Sequence, residues 1–442
     1  MNPRDTTADR SASAAAVRAK HQEFLFPAVS TYYKEALVPA EAKGLRLKDV
    51  DGREYLDFFG GILTVSVGHC NDTVNAAIKA QVDRLGHVSS LYPALPVVEL
   101  AEKLAALTPG ALKKCYFTAS GTEADETAVM MAQVSTGRTE IVALRHGYAG
   151  RSMLAQALTG HAPWRALPSQ VAGVKHAVSP YCYRCPFGLT YPSCGVKCAR
   201  DIEELIRTTT TGRIAGFLAE PIQGVGGFIT PPREYFQIAT EIVRKYGGVF
   251  ICDEVQTGFG RTGAWWGAQQ YGVEPEIMTM AKGIANGMPI SATICTTEIA
   301  DSLKSLTIST FGGNPVCAAA ANATIGYMEE HDLPGNAARQ GARLREGLER
   351  LKREHPRTFG DVRGMGLMQG VELVKDETAG DRTPNTEMTA KLFEATKERG
   401  LLIGKGGLQG NVLRISPPLT VSAAEVDEAL AKLGAALVAI GA

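Results

Sequence analysis

The run Ile277-Met278-Thr279-Met280-Ala281-Lys282-Gly283 sets a lysine at the end of a buried-looking strand, just before a loop that Gly283, Gly287 and Pro289 make tight. A lysine held there loses hydration, which disfavours its ammonium form and leaves an amine able to attack an aldehyde. The plainer alternative is a solvated lysine at a strand end. A second run of the same shape, Val249-Phe250-Ile251-Cys252-Asp253-Glu254, ends its apolar stretch on an acid. A carboxylate at that place could keep a pyridine-type nitrogen protonated, which is what makes such a ring an electron sink. The alternative is that Asp253 caps the next turn. A third segment, strand-like Lys114–Thr118, runs into Ala119-Ser120-Gly121-Thr122-Glu123-Ala124 and then a helical pattern. Free backbone N–H groups and a positive dipole end suit a phosphate held without a metal. The same residues also read as an ordinary capping box, and the two readings are compatible.

These groups need a scaffold. Apolar runs at Glu140–Leu144, Ile214–Ala219, Val249–Cys252 and Ile277–Met280 alternate with helical stretches, beginning with Ala124–Ser135. That alternation predicts an α/β unit whose mostly parallel sheet is covered on both faces. Ligands of such sheets sit beyond the carboxyl ends of the strands, where Asp253 and Lys282 fall. Upstream, Leu45–Val50, a turn at Asp51-Gly52 and Glu54–Phe59 predict a hairpin, and residues 73–86 and 96–107 read as helices. After about residue 330 the texture changes to a helix over 335–354, a strand region Gly364–Val374, a helix over 384–399, short strands near 400–416 and a closing helix over 423–439. The expected division is a flexible tail over 1–20, an N-terminal part of a small domain over 21–65, a large domain over 66–328 and the rest of a small α+β domain over 329–442.

Bulk properties bound the function. The 442 residues carry 46 Lys plus Arg against 46 Asp plus Glu, and this zero balance gives no reason to expect nucleic acid or an acidic membrane surface as partner. No apolar stretch of about 18 residues predicts a membrane span. The N-terminus lacks the apolar core of a signal peptide, and nine cysteines without one point to reduced thiols in a cytoplasmic protein. No Gly-x-Gly-x-x-Gly loop follows an early strand, which argues against a dinucleotide-binding protein.

Taken in order, five segments resemble the class III aminotransferases: Ser120-Gly121-Thr122-Glu123-Ala124, Glu220-Pro221-Ile222-Gln223-Gly224, Asp253 through Arg261, Ala281-Lys282-Gly283, and Thr310-Phe311-Gly312-Gly313-Asn314-Pro315. The resemblance covers residues from about 25 to 440. It implies a pyridoxal-phosphate enzyme of fold type I, with Lys282 as the Schiff-base lysine and proton carrier and Asp253 on the pyridine nitrogen. Gln256 would lie near the phenolic oxygen, and Ser120, Gly121 and Thr122 at the phosphate, with Glu220 also in the cofactor site. Tyr148 would stack on the ring and Arg414 clamp a substrate carboxylate through its guanidinium fork. Thr310 would reach the phosphate from the neighbouring subunit, which makes the expected assembly a homodimer or larger. The implied chemistry is amino transfer between small-molecule amines and keto acids by a ping-pong route.

Two departures from the family pattern bear on substrate. Ala149 stands where many members have His. Val225, in Gln223-Gly224-Val225-Gly226-Gly227, stands where members using 2-oxoglutarate often have an acid that pairs with the arginine. Valine cannot neutralise Arg414, which should then prefer substrates that bring their own carboxylate, and the strings around 253–315 most resemble the alanine–glyoxylate and β-amino-acid–pyruvate branch. Arg151 matches an arginine that holds a distal carboxylate in γ-aminobutyrate members, which keeps 4-aminobutyrate or ornithine-type substrates open beside a purely structural role. Cys182, Cys185, Cys194 and Cys198 have some of the spacing of a structural zinc site, but the pairs lie closer than in zinc ribbons, and disulfides or free thiols are the other readings. A similar cysteine-bearing insert in phospholyase relatives raises lyase chemistry on a phosphoamine as the rival.

Overall fold

The computed structural model describes residues 13–29, 31–169 and 171–442. Residues 1–12 of the expected tail lie outside these. From Ala14, within the span expected as a tail, to Phe24 the chain is helical. The Ser13 hydroxyl caps this helix, and Arg18 Nε donates to the Ala36 carbonyl at 2.8 Å, tying it to the body of the protein.

The expected hairpin forms between Arg46–Asp49 and Glu54–Asp57, with Pro39–Lys43 as a further antiparallel strand. Its turn is built locally. The Asp49 carboxylate accepts the N–H groups of Asp51 and Arg53, and Gly52 takes φ +81°, a left-handed conformation that glycine adopts without a side-chain clash. Leu401 and Leu402 pair in parallel with Leu56 and Asp57 of this sheet.

The central sheet has seven strands in the spatial order Leu112–Thr118, Ser291–Thr296, Ile277–Met280, Val249–Asp253, Gly216–Ala219, Ile141–Leu144 and Val174–Ala177. Only Ser291–Thr296 runs against the others. Side chains alternate between two covering layers, as the two-residue period of a strand requires. Phe217, Phe250 and Cys252 pack with Tyr235, Phe236, Ile202 and Ile206, from helices Lys197–Thr209 and Tyr235–Lys245. Leu218, Ile251 and Ile277 pack with Ala128, Val129 and Ala132 of helix Gly121–Thr136. Burial on both faces is why these strands read as unbroken apolar runs.

A second antiparallel sheet carries Phe359–Met365, Met368–Asp376, Val412–Ile415 and Gly404–Gly406. Helices Leu333–Glu354 and Ala423–Ala439 pack together beside it through Leu344, Leu348, Val426, Leu430 and Leu433. One charged knot joins this sheet to the loop after Val174–Ala177. Buried Arg363 donates to Glu372 at 2.7 Å, to Asp361 at 2.9 Å and to the Gly227 carbonyl at 2.9 Å, while Tyr181 and Arg184 both donate to Glu372.

Candidate active site

Because Leu112–Thr118, Gly216–Ala219, Val249–Asp253 and Ile277–Met280 run the same way, their carboxyl ends deliver Ser120, Glu220, Asp253 and Lys282 to one edge of the sheet. A cavity of about 200 Å³ opens there, lined by Gly121, Thr122, Asp125, Tyr148, Glu220, Asp253, Gln256 and Lys282 among others. Seven of the residues singled out from sequence are thus brought together by these four strand ends and by the loop after Ile141–Leu144, which carries Tyr148.

Ser120 caps helix Gly121–Thr136. Its hydroxyl accepts the Glu123 N–H and donates to the Glu123 carboxylate, which also accepts the Ala119 N–H. That box orders the terminus and leaves the first-turn N–H groups of Gly121 and Thr122 without a helical acceptor. Lys282 is half-buried as a residue and takes φ +48°, an unusual conformation for a residue with a side chain. Burial pulls its amine pKa down, although Asp253 and Glu220 oppose this and Arg414 adds to it. Asp253 is 4% exposed, and burial pushes its carboxyl up to about 6, with the Val255 N–H and Lys282 pulling the other way. Glu220 accepts the N–H groups of Tyr148 at 3.1 Å and Gly224 at 2.8 Å, yet burial and the Asp253 charge push it up to about 8.

Gln256 lies flat against Gly224, where any Cβ would fall 2.2 Å from its amide nitrogen. Its amide oxygen is buried without a hydrogen-bond partner. Arg414 is 5% exposed and donates only to main-chain carbonyls, of Lys405 at 3.2 Å and Gly224 at 3.3 Å, with the rings of Phe59 and Phe228 against its guanidinium. Among the described residues no carboxylate lies within ion-pair distance of it. Tyr148 makes an edge contact with Trp164 at 5.8 Å.

Four expected residues, Ser120, Arg414, Thr310 and Arg151, do not line the cavity within one chain. Thr310 is exposed, and Arg151 is exposed with only its N–H near the Thr122 hydroxyl, at 3.4 Å. The four clustered cysteines are free thiols that border a small separate cavity, and no three His, Cys, Asp or Glu among the described residues are grouped as metal ligands. Sequence reasoning missed Asp125. The available signal was an acid among Ala124, Ala128, Val129 and Ala132, the buried stripe of its helix.

A buried amine with a lowered pKa, a buried carboxylate, an orphaned amide oxygen and an open helix terminus fit an aldehyde cofactor that carries a ring nitrogen, an oxygen and a phosphate. Fold and site together define a fold-type-I transferase dependent on pyridoxal phosphate. The family model for Aminotransferase class-III matches residues 29–437, and the chain belongs to that family. It is 44% identical over 416 residues to alanine–glyoxylate aminotransferase 2 homolog 2, mitochondrial, of Arabidopsis thaliana, covering 94% of this chain and 86% of the relative. It superposes with a TM-score of 0.90 on a Bacillus anthracis aminotransferase at 32% identity, covering 96% of this chain and 98% of that one. An amine transaminase from an uncultivated Pseudomonas species, solved with pyridoxal phosphate bound, superposes at 0.87 and 33% identity over 94% and 98% of the two chains. The protein is a transaminase that uses pyridoxal 5'-phosphate. No helix among the described residues is long and apolar enough to cross a membrane.

Proposed function

We propose that the protein transfers an amino group from an amino-acid or ω-amine donor to a small keto acid of the pyruvate or glyoxylate kind. The observation that carries this is Arg414: a buried guanidinium with carbonyl partners but no carboxylate of its own. Leaving such a charge uncompensated is costly. A substrate that brings a carboxylate completes the pair, and Val225 offers the arginine no competing acid.

The site residues divide the work as follows. Bound cofactor supplies a carbonyl that accepts the amine and a ring that takes up electrons. Lys282, its amine pKa lowered by burial, accepts the proton from the substrate α-carbon and returns it on the cofactor side. Asp253 holds the ring nitrogen protonated, and Gln256 turns its amide to the ring oxygen. The N-terminus of helix Gly121–Thr136 binds the phosphate through Ser120, Gly121 and Thr122. Tyr148 sets the ring plane, held in place by its N–H on Glu220. Arg414 orients the donor carboxylate and then that of the keto acid.

The assembly proposed is a homodimer in which Thr310 completes the phosphate site of the partner. In support, Thr310 lies between exposed Leu306 and Phe311, and Phe311 meets His87 of the loop that exposes Leu91 and Tyr92. Such an apolar surface calls for a cover. A cytoplasmic location is part of the same proposal, supported by nine free cysteines.

The test is a spectral titration of the purified protein with single substrates. L-Alanine should convert the bound cofactor to its amine form, and pyruvate or glyoxylate should restore it. Conversion only by γ-aminobutyrate or ornithine, or release of phosphate from a phosphoamine without amino transfer, would overturn the substrate assignment.

A further inference from the structure

The cavity contains one acid more than the proposed chemistry uses. Asp125 sits in the second turn of helix Gly121–Thr136 and is 2% exposed. Its Oδ1 accepts the Thr279 hydroxyl at 2.7 Å. Thr279 is the cross-strand neighbour of Asp253, so this bond fixes the Asp125 carboxyl beside the Asp253 position. Among the described residues Oδ2 has no protein donor, it is not one of the sealed, unpartnered atoms, and it belongs to a residue that lines the cavity. Three carboxyl groups, Asp125, Glu220 and Asp253, therefore share one cavity with a single lysine, next to the helix terminus proposed for a phosphate.

Crowding of buried carboxyl groups raises the cost of ionising each of them. We propose that Asp125 is a positioning residue of the cofactor site that works as a neutral acid. In this arrangement Oδ1 accepts from Thr279, and a proton on Oδ2 is donated into the cavity toward the bound cofactor. The inference rests on the placement of the cofactor between Lys282 and Asp253. Burial and the two neighbouring carboxyl groups favour a proton on Asp125 over the opposing pull of Thr279 and Lys282. Burial first, then the charges of Asp253, from its strand, and Glu220, from the neighbouring one, raise its pKa well above the usual carboxylate range. Asparagine has the same shape and can place a carbonyl on Thr279 and an N–H in the cavity, at any pH.

The experiment is to strip the full-length protein of cofactor and measure the pyridoxal-phosphate dissociation constant by fluorescence across pH, for wild type, Asp125→Asn and Asp125→Ala. A neutral donor predicts that Asp125→Asn stays within about threefold of wild type at pH 7, whereas Asp125→Ala weakens binding by about tenfold or more. It also predicts that wild type loses affinity relative to Asp125→Asn as pH rises through the ionisation of Asp125. A merely structural residue would not produce that divergence. If Asp125→Asn binds at least tenfold more weakly than wild type at pH 7, or tracks it at every pH, the proposal is wrong. Weak binding by wild type itself, or binding unchanged in Lys282→Ala and Asp253→Ala alike, would instead overturn the placement of the cofactor. Thermal unfolding of the stripped variants identifies any that fail to fold, and Asp125→Asn then carries the test.

Discussion

Arg414 Nη1 donates to the main-chain carbonyl of Gly224 at 3.3 Å, where an acidic side chain would ordinarily be sought. The next residue is Val225, whose carbonyl is taken by the Gly407 N–H at 3.0 Å, so the loop turns its backbone, and not a carboxylate, to this part of the site.

Arg414→Ala should therefore act on substrate capture. A charge-assisted fork to a carboxylate contributes roughly 2–3 kcal/mol, so kcat/KM for pyruvate or glyoxylate should fall about 30- to 150-fold, mainly through KM. Val225→Glu should shift preference away from these acceptors, because the new carboxylate competes for the guanidinium. Unchanged KM values in both variants would remove Arg414 from the substrate site.

Lys282→Ala should abolish transamination while the protein still takes up cofactor through the helix terminus and Asp253. Steady-state turnover and cofactor retention after gel filtration separate the two effects. Turnover within about tenfold of wild type would show that another base moves the proton.

Glu220 carries a pH signature. Its folded pKa, about 8, lies above the ordinary 4.5, so between these values the folded protein keeps a proton that the unfolded chain has released. The folded state then binds more protons, and stability falls as pH rises through that window. Glu220→Gln should flatten this part of the dependence. The check is the melting temperature of cofactor-free protein at pH 5 and pH 8, where a parallel fall in wild type and variant would count against the assignment.

Arg363→Ala leaves Glu372, which is fully buried, without one of its two cations. Breaking one side of a buried pair costs about 3–5 kcal/mol, and here Arg184 and the Tyr181 hydroxyl remain to soften it. The expected result is a clear loss of denaturant midpoint. A midpoint equal to wild type would mean that the knot contributes little.

Much of the scaffold could be read along the chain because it follows from local rules. Strands buried on both faces write continuous apolar runs, as at Ile277–Met280. Helix starts write their caps, as at Ser120 with Glu123. Lys282 and Asp253 stood out because each follows such a run directly, and the parallel direction of the strands then carries them to the same edge. The N-terminal helix escaped because Ser, Thr and Ala composition does not reveal that Arg18 reaches the Ala36 carbonyl.

What the chain alone determined was which groups are present and at which strand ends. Tertiary structure decided their states. A third acid joins the cavity only because the Gly121–Thr136 helix lays Asp125 against Thr279, across two strands. Arg414 lacks a carboxylate only because a loop about 190 residues away presents carbonyls to it. Burial and charge are sums over neighbours distant in sequence, so pKa values and ion pairing take their values only when the chain is folded.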